Sequence, residues 1–259
     1  MTFDNLLFEM VDDVACISLN RPETLNSMTA KMGHELQRAL VSAETNARAI
    51  LLSGNGKGFC SGASLTEDLN FNDPELDIGC DIDRVFNPVI SQVRNSKIPI
   101  VTAVHGAAAG FGCSLALAGD MIVAGESSYF MQAFCNIGLV PDGGSTYLLT
   151  KSIGRPRAME MMLLGGKLTA PKALEWGLIN RVVANDDVAS SAMEIAAKLA
   201  KGPAAIGLIK QAAWSALDAS FETALNIERR LQRTAGRTDD FREGIEAFRE
   251  KRPAAFKGH

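Results

Sequence analysis

The stretch from Ile98 to Gly119 constrains the fold more than any other part of this chain, because it contains no Asp, Glu, Lys or Arg. It is long enough to cross a bilayer. Yet Pro99 and His105 sit inside it, Gly106, Gly110 and Gly112 interrupt it, and polar text flanks it on both sides. A buried strand, a glycine turn and a buried helix account for it better than a membrane span. Ile98-Pro-Ile-Val-Thr-Ala-Val104 is then the strand, and Gly112 to Ala118 the helix.

The same order of elements recurs along the chain. Val14-Ala-Cys-Ile-Ser-Leu19 alternates and predicts a strand, stopped by the turn text Asn20-Arg-Pro-Glu-Thr24. Met28, Met32, Leu36, Leu40 and Ala43 recur at helical spacing and predict a helix over 28–44. Ala49-Ile-Leu-Leu-Ser53 predicts a second strand closed by Gly54-Asn-Gly-Lys-Gly58, and Met121-Ile-Val-Ala124 a further one. Residues 66–80, with acids, Pro74 and Gly79, read as a loop, and Val85 to Arg94 as a helix. Strand, glycine turn and helix repeat with no low-complexity linker, so the fold class is α/β: a continuous spiral or parallel sheet rather than separate modules.

After about residue 155 the text turns helical, with Pro156 and Pro171 near helix starts and Gly165 and Gly177 at helix stops. Amphipathic segments at 187–201, 203–217, 221–235 and 239–250 finish the chain. The change of character near 195 divides it into a 1–195 core and a 196–259 helical region.

With 259 residues, 47% hydrophobic and 22% charged, the chain can bury a full core. A formal charge of −4 and pI near 5.5 give no electrostatic footprint for nucleic acid or an anionic membrane. A small ligand met by a local site is the expectation. The five cysteines are odd in number and form no C-x-x-C, which predicts reduced core thiols. The opening MTFDNLLFEMVDD has neither a basic nor an apolar leader region, so a cytoplasmic location is expected.

Two glycine clusters invite nucleotide readings. Gly54-Asn-Gly-Lys57-Gly58 follows a strand, but a phosphate-binding P-loop needs Ser or Thr after Gly-Lys to hold magnesium. Gly106-Ala-Ala-Ala-Gly110-Phe-Gly112, with Tyr147-Leu-Leu-Thr-Lys151, resembles the glycine turn and Tyr-x-x-x-Lys pair of short-chain dehydrogenases. That turn belongs on the first strand, with its Tyr more than a hundred residues later, and here the spacing leaves no room for a dinucleotide fold. Plain tight turns explain both clusters equally well on sequence alone.

Gly58-Phe-Cys-Ser-Gly62-Ala63-Ser-Leu65 and His105-Gly-Ala-Ala-Ala-Gly110-Phe111-Gly112-Cys-Ser-Leu-Ala-Leu-Ala-Gly-Asp120 resemble the two signature segments of the enoyl-CoA hydratase/isomerase (crotonase) superfamily. The resemblance continues through Ile137-Gly-Leu-Val-Pro-Asp-Gly-Gly144 and Leu168–Ile179 to Phe241–Arg252, in family order. It implies a spiral of repeated ββα units with a helical C-terminal trimerisation region, assembled as a homotrimer or a hexamer of two trimers. It also implies an acyl-CoA substrate, with coenzyme A as part of that substrate and no separate cofactor or metal.

In this family two backbone N–H groups hold the enolate oxygen of the thioester, and here they would be those of Ala63 and Phe111. Such preorganised donors are worth roughly 3 kcal/mol each. Glycine or alanine is usual at position 111, so the Phe ring must point away from the thioester or shape the acyl pocket. The resemblance further makes Ser61, Ala63, Ser64, Leu65, Thr66, Phe111, Gly112 and Phe134 substrate-binding candidates, with Ser64 replacing the usual Asp. Lys57, Lys251 and Lys257 read as solvated surface lysines rather than phosphate ligands.

Within the family, the acid count favours double-bond isomerisation, with hydration, thioester hydrolysis, ring chemistry or a catalytically idle CoA-ester- or partner-binding relative as the alternatives. Hydratases of this family use two glutamates, and the matching positions here are Ser114 and Phe134, neither of which does proton chemistry at neutral pH. Asp142 stands where isomerases of the family, including those acting on epoxidised phenylacetyl-CoA, place an Asp or Glu. One carboxylate suffices to move a proton between two carbons. On its residues alone Pro-Asp-Gly-Gly is equally a β-turn. Tyr147 and Ser114 are expected to be packing or helix-surface residues, Asp120 a buried hydrogen-bonding group, and His105 structural.

Overall fold

The computed structural model describes residues 2–64, 70 and 72–259. Its strands are β1 (Leu6–Val11), β2 (Val14–Leu19), β3 (Ala49–Gly54), β4 (Ile100–Val104), β5 (Ala107–Ala109), β6 (Met121–Gly125), β7 (Tyr129–Met131), β8 (Lys167–Thr169) and β9 (Arg181–Val183). The helices are α1 (Ala30–Asn46), α2 (Asn87–Asn95), α3 (Phe111–Leu117), α4 (Ser145–Leu164), α5 (Ala170–Glu175), α6 (Val188–Ala200), α7 (Ala205–Ala216), α8 (Phe221–Ala235) and α9 (Asp239–Glu250).

Alternation along the strands sorts side chains into two cores. Ile50 and Leu52 of β3, Ile100 and Val104 of β4, and Ile122 and Ala124 of β6 join α1 and α3 in the larger cluster. Ala49 and Leu51, Val101 and Ala103, and Val123 face the other way, onto Val188, Ala192, Ile195 and Ala196 of α6. A strand covered on both faces must be apolar throughout, which is why these segments read as continuous hydrophobic runs. Residue 195, where the sequence changes character, therefore lies inside a helix that covers the sheet.

The large sheet runs β1-β2-β3-β4-β6-β9, with β1 and β2 antiparallel and every other pairing parallel. β5, β7 and β8 make a second, three-stranded sheet. Two successive turns of the spiral pass from the large sheet to the small one and then into a helix: β4, β5, α3, and next β6, β7, α4. The ββα spiral expected from the sequence is the observed fold.

Several local differences have physical causes. The helix predicted from Met28 begins at Ala30, because Thr29 is its N-cap and accepts the Met32 N–H. α2 is preceded by a π-helical turn over Ile82–Phe86, so Val85 and Phe86 lie outside it. Pro156 does open a helical segment: α4 breaks at Gly154, at φ 75 and ψ 157, and restarts at the proline. Cys60 and Cys113 are buried thiols as expected, but Cys80 is exposed and Cys16 and Cys135 half-buried. Among the described residues no helix is long and apolar enough to cross a membrane.

α7 docks through polar links. Lys210 donates to Asp120 at 2.8 Å and to the Val93 carbonyl at 2.9 Å, and Trp214 Nε1 donates to Asp120 at 3.3 Å. Asp120 also accepts the Ile100 N–H at 2.8 Å, the expected buried hydrogen bond. α8 and α9 are amphipathic but leave their apolar sides uncovered, with Phe221 73% and Phe248 82% exposed.

Candidate active site

Two glycines with left-handed backbone bring the signature segments together. Gly62 has φ +112 and Gly110 φ +52, conformations that L side chains rarely adopt. A Cβ on Gly62 would lie 3.1 Å from the Ala109 carbonyl oxygen and 3.6 Å from the Phe111 nitrogen. The loop carrying Gly62 is itself pinned. Met28 N–H donates to Gly62 O at 2.7 Å, Ser64 N–H to Met28 O at 2.8 Å, and Ser61 N–H to Leu25 O at 2.9 Å. Ser61 Oγ donates to Thr24 O at 3.0 Å. Below it, the fully buried Asn26 amide donates to Asn55 O and Gly58 O, both at 2.8 Å.

In this setting neither the Ala63 nor the Phe111 N–H has an acceptor among the described residues. Phe111 is the first residue of α3, where the N–H has no intrahelical partner. α3 has only seven residues, so its dipole is a small addition to these two donors. Gly112 packs on the Cys60 backbone, where a Cβ would meet the carbonyl oxygen at 2.3 Å. Of the remaining candidates, Leu65 and Thr66 lie outside the described residues, as does part of the 66–80 loop.

The Phe111 ring is part of the core. It is fully buried, its centroid 4.7 Å from that of Phe86. Its edge also borders Gly143, where a Cβ would stand 3.0 Å from a ring carbon. The ring is thus held between Phe86 and the turn that follows Asp142. Phe134, 7% exposed, lies instead against Gly110, its ring 3.8 Å from where a Cβ would be.

Asp142 precedes two glycines at positive φ, Gly143 and Gly144, and leads into α4. Its Oδ1 is buried with no hydrogen-bond partner among the described residues. Burial without a compensating donor disfavours the charged form and pushes its pKa up to about 6. Its backbone carbonyl is heavily satisfied: Ser114 Oγ donates at 2.9 Å, Ser145 Oγ at 2.8 Å and Ser145 N–H at 3.1 Å. Ser114 is thus more than packing. Nothing in the sequence marked this contact, which joins residues far apart in the chain through a hydroxyl and a carbonyl.

The other chemically able side chains are engaged elsewhere. The His105 ring donates to the Gly56 carbonyl at 2.9 Å, a structural role as expected. Tyr147 donates to Asp218 at 2.8 Å, under the Arg94 guanidinium. A cavity of about 460 Å³ lies between α4 and α7, lined by Tyr147, Lys151, Lys210 and Trp214. Ala63, Phe111 and Asp142 do not line it, so this hollow and those groups are at different places. Among the described residues no cluster of three or more His, Cys, Asp or Glu could hold a metal ion.

Asp142 carries a buried carboxyl with a raised pKa, and its backbone carbonyl is tied by Ser114 to α3, whose first residue has an N–H without an acceptor among the described residues. Comparison with known proteins places the chain in a family. The family described as enoyl-CoA hydratase/isomerase matches residues 9–259. The chain is 41% identical over 257 residues to the 1,2-epoxyphenylacetyl-CoA isomerase of Escherichia coli K12, covering 98% of both chains. It is also 41% identical, over the full length of both, to a Rhodobacter capsulatus protein named a probable enoyl-CoA hydratase. The crystal structure of an enoyl-CoA hydratase from Bacillus anthracis superposes with a TM-score of 0.93 at 31% identity, covering 99% of this chain and 100% of that one. The chain belongs to the enoyl-CoA hydratase/isomerase family.

Proposed function

We propose that this enzyme is of the enoyl-CoA isomerase type and shifts a double bond within an acyl-CoA. The Asp142 carboxylate takes a proton from one carbon of the acyl chain, and charge moves to the thioester oxygen. The N–H groups of Ala63 and Phe111 stabilise that oxyanion in a site where bulk water does not compete. Protonated Asp142 then returns the proton to another carbon, so the same group serves as base and acid. The observation carrying this reading is the buried Oδ1 of Asp142, without a hydrogen-bond partner among the described residues, on a residue whose carbonyl Ser114 ties to α3. Ser114 and Phe134, at the two positions where hydratases carry glutamates, have no proton to trade at neutral pH.

Ser61, Ser64, Gly112 and Phe134, together with Leu65 and Thr66, complete the proposed thioester-binding surface. Backbone donors and one carboxylate suffice for this reaction, so no metal or redox cofactor is required. The exposed apolar sides of α8 and α9 fit a homotrimer, or a hexamer built of two, and the enzyme is proposed to work in the cytoplasm. Asp142→Asn keeps the turn but removes the base. Turnover of a 3-enoyl-CoA should fall by roughly 10²–10⁴-fold with CoA-ester affinity held; near-normal isomerisation by this variant would sink the proposal.

A second reading, hydration of a 2-enoyl-CoA, is favoured by the relatives named as hydratases. Brisk hydration compared with isomerisation would establish it. A CoA-ester panel that yields no turnover and no rise in melting temperature would point to a non-catalytic relative instead.

A further inference from the structure

Ser114 touches both halves of the site at once. Its fully buried hydroxyl donates to the Asp142 carbonyl at 2.9 Å and, at 3.4 Å, approaches the Gly110 carbonyl oxygen. The Gly110 carbonyl and the Phe111 N–H belong to one peptide unit, so the hydroxyl reaches the back of the donor group that faces the substrate. The chain around Asp142 needs such a support, because Gly143 and Gly144 follow it at φ +58 and +73 and contribute little stiffness of their own. Ser145 secures the α4 side of the turn through its own hydroxyl and N–H. Ser114 is the link to α3, and its Cβ would stand 2.8 Å from a Cβ on Gly143, so the two backbones are in close contact there.

We infer that Ser114 is a positioning residue: it sets the Asp142 carboxyl relative to the Phe111 N–H by tying the Asp142 carbonyl to α3. The inference rests on Asp142 being the proton shuttle. With its one proton committed to the Asp142 carbonyl, the Ser114 hydroxyl is occupied and does not donate to a water for attack. The residue at this position thereby serves a one-carboxylate reaction.

The test compares Ser114→Ala, Ser114→Thr and Ser114→Val with Asp142→Asn, using a 3-enoyl-CoA and following kcat, KM and the pH at which kcat rises. Loss of the hydroxyl should lower kcat by about 10-fold or more with KM nearly unchanged, as for a small misplacement of a reacting group. It should also move the rise in kcat to lower pH, because a loosened turn lets water reach the Asp142 carboxyl. Thr, which keeps a hydroxyl, should preserve both parameters where Val, of the same shape, loses them; this pair decides the matter even if Ser114→Ala does not fold. A ¹³C titration of the Asp142 carboxyl, assigned by its absence in Asp142→Asn, should show the same downward shift without reference to turnover. An inactive Asp142→Asn alongside Ala and Val variants that match wild type in kcat and in pH profile overturns the role of Ser114 alone. An active Asp142→Asn overturns the shuttle, and the inference with it.

Discussion

Gly62 packs on Gly110 so closely that a Cβ on Gly110 would stand 3.7 Å from the Gly62 Cα. Both residues hold positive φ, and the N–H of the residue after each one has no acceptor among the described residues. The two donors are therefore aimed by backbone geometry that only glycine adopts without strain. Gly62→Ala should destabilise the fold by about 1–3 kcal/mol, the usual cost of a strained backbone position. If the strain is relieved by rotating the Gly62–Ala63 peptide, affinity for a CoA thioester should fall as well. Calorimetric titration with a non-reactive thioester analogue checks this, and unchanged affinity in a folded Gly62→Ala protein would count against the Ala63 donor.

The raised pKa of Asp142 has consequences in both rate and stability. As the base, Asp142 must begin ionised, so kcat for isomerisation should rise through pH about 6 to a plateau. Stability runs the other way. A carboxyl whose pKa rises from 3.8 in the unfolded chain to about 6 in the folded one favours folding at low pH, and that contribution is lost as pH rises through about 6. Asp142→Asn should accordingly be more stable than wild type at pH 8, and the two should converge below pH about 4. Allowing for partial solvent access, the gain should be on the order of 1 kcal/mol. Melting curves across this range would reveal the opposite sign if the carboxylate were paired rather than stranded.

Lys210 reaches from α7 into the core with a side chain only 4% exposed, and pairs there with Asp120. Removing one partner of a buried pair leaves an uncompensated charge, so Lys210→Ala should cost about 3–5 kcal/mol in urea denaturation. Lys210→Met together with Asp120→Asn should recover part of that loss, since neither charge is then stranded. The Ile100 N–H also donates to Asp120, which makes recovery incomplete. A single Lys210→Ala variant as stable as wild type would show that α7 is held by its apolar contacts instead.

How far the sequence foretold this structure depended on element length and on the range of the contacts. β2, β3 and α8 match their predicted spans closely, because each has a periodic pattern several residues long. β1 escaped notice: it is an edge strand with one buried residue, Leu6, so burial imposes no alternation on it. β5 is three alanines, and β7 and β8 are equally short, below the length at which a period can be seen. At the site, Asp142 and the two signature glycines were legible through family resemblance. The Phe111 ring on Phe86 and the Ser114 hydroxyl on the Asp142 carbonyl were not, since both depend on tertiary packing that no local pattern encodes.

Assembly can be tested on the tail helices. α8 has no buried residue, and Phe248 of α9 is 82% exposed, a surface that water penalises and a second subunit would cover. Sedimentation velocity at micromolar concentration should give a trimer or a multiple of it, and Phe221→Asp with Phe248→Asp should shift the distribution toward monomer. A wild-type monomer under these conditions would rule the trimer out.

Phe111 offers the sharpest separation of side chain from backbone. Its ring is fully buried against Phe86 and Gly143, while its N–H has no acceptor among the described residues. Phe111→Ala deletes the ring but keeps the donor, and truncating a buried Phe typically costs about 3–5 kcal/mol because the cavity is only partly refilled. The variant should therefore melt well below wild type and yet, at a temperature where it stays folded, bind a CoA thioester with near-normal affinity. Loss of binding in step with loss of stability would mean that the ring, not the N–H, holds the substrate, and would remove Phe111 from the oxyanion site. Phe111→Pro would make the complementary measurement in principle, but it distorts α3 as well as deleting the N–H. A backbone ester at this position, introduced by semisynthesis, replaces the N–H with oxygen and leaves the ring in place; it should retain most of the stability and lose roughly 10²–10³-fold in turnover.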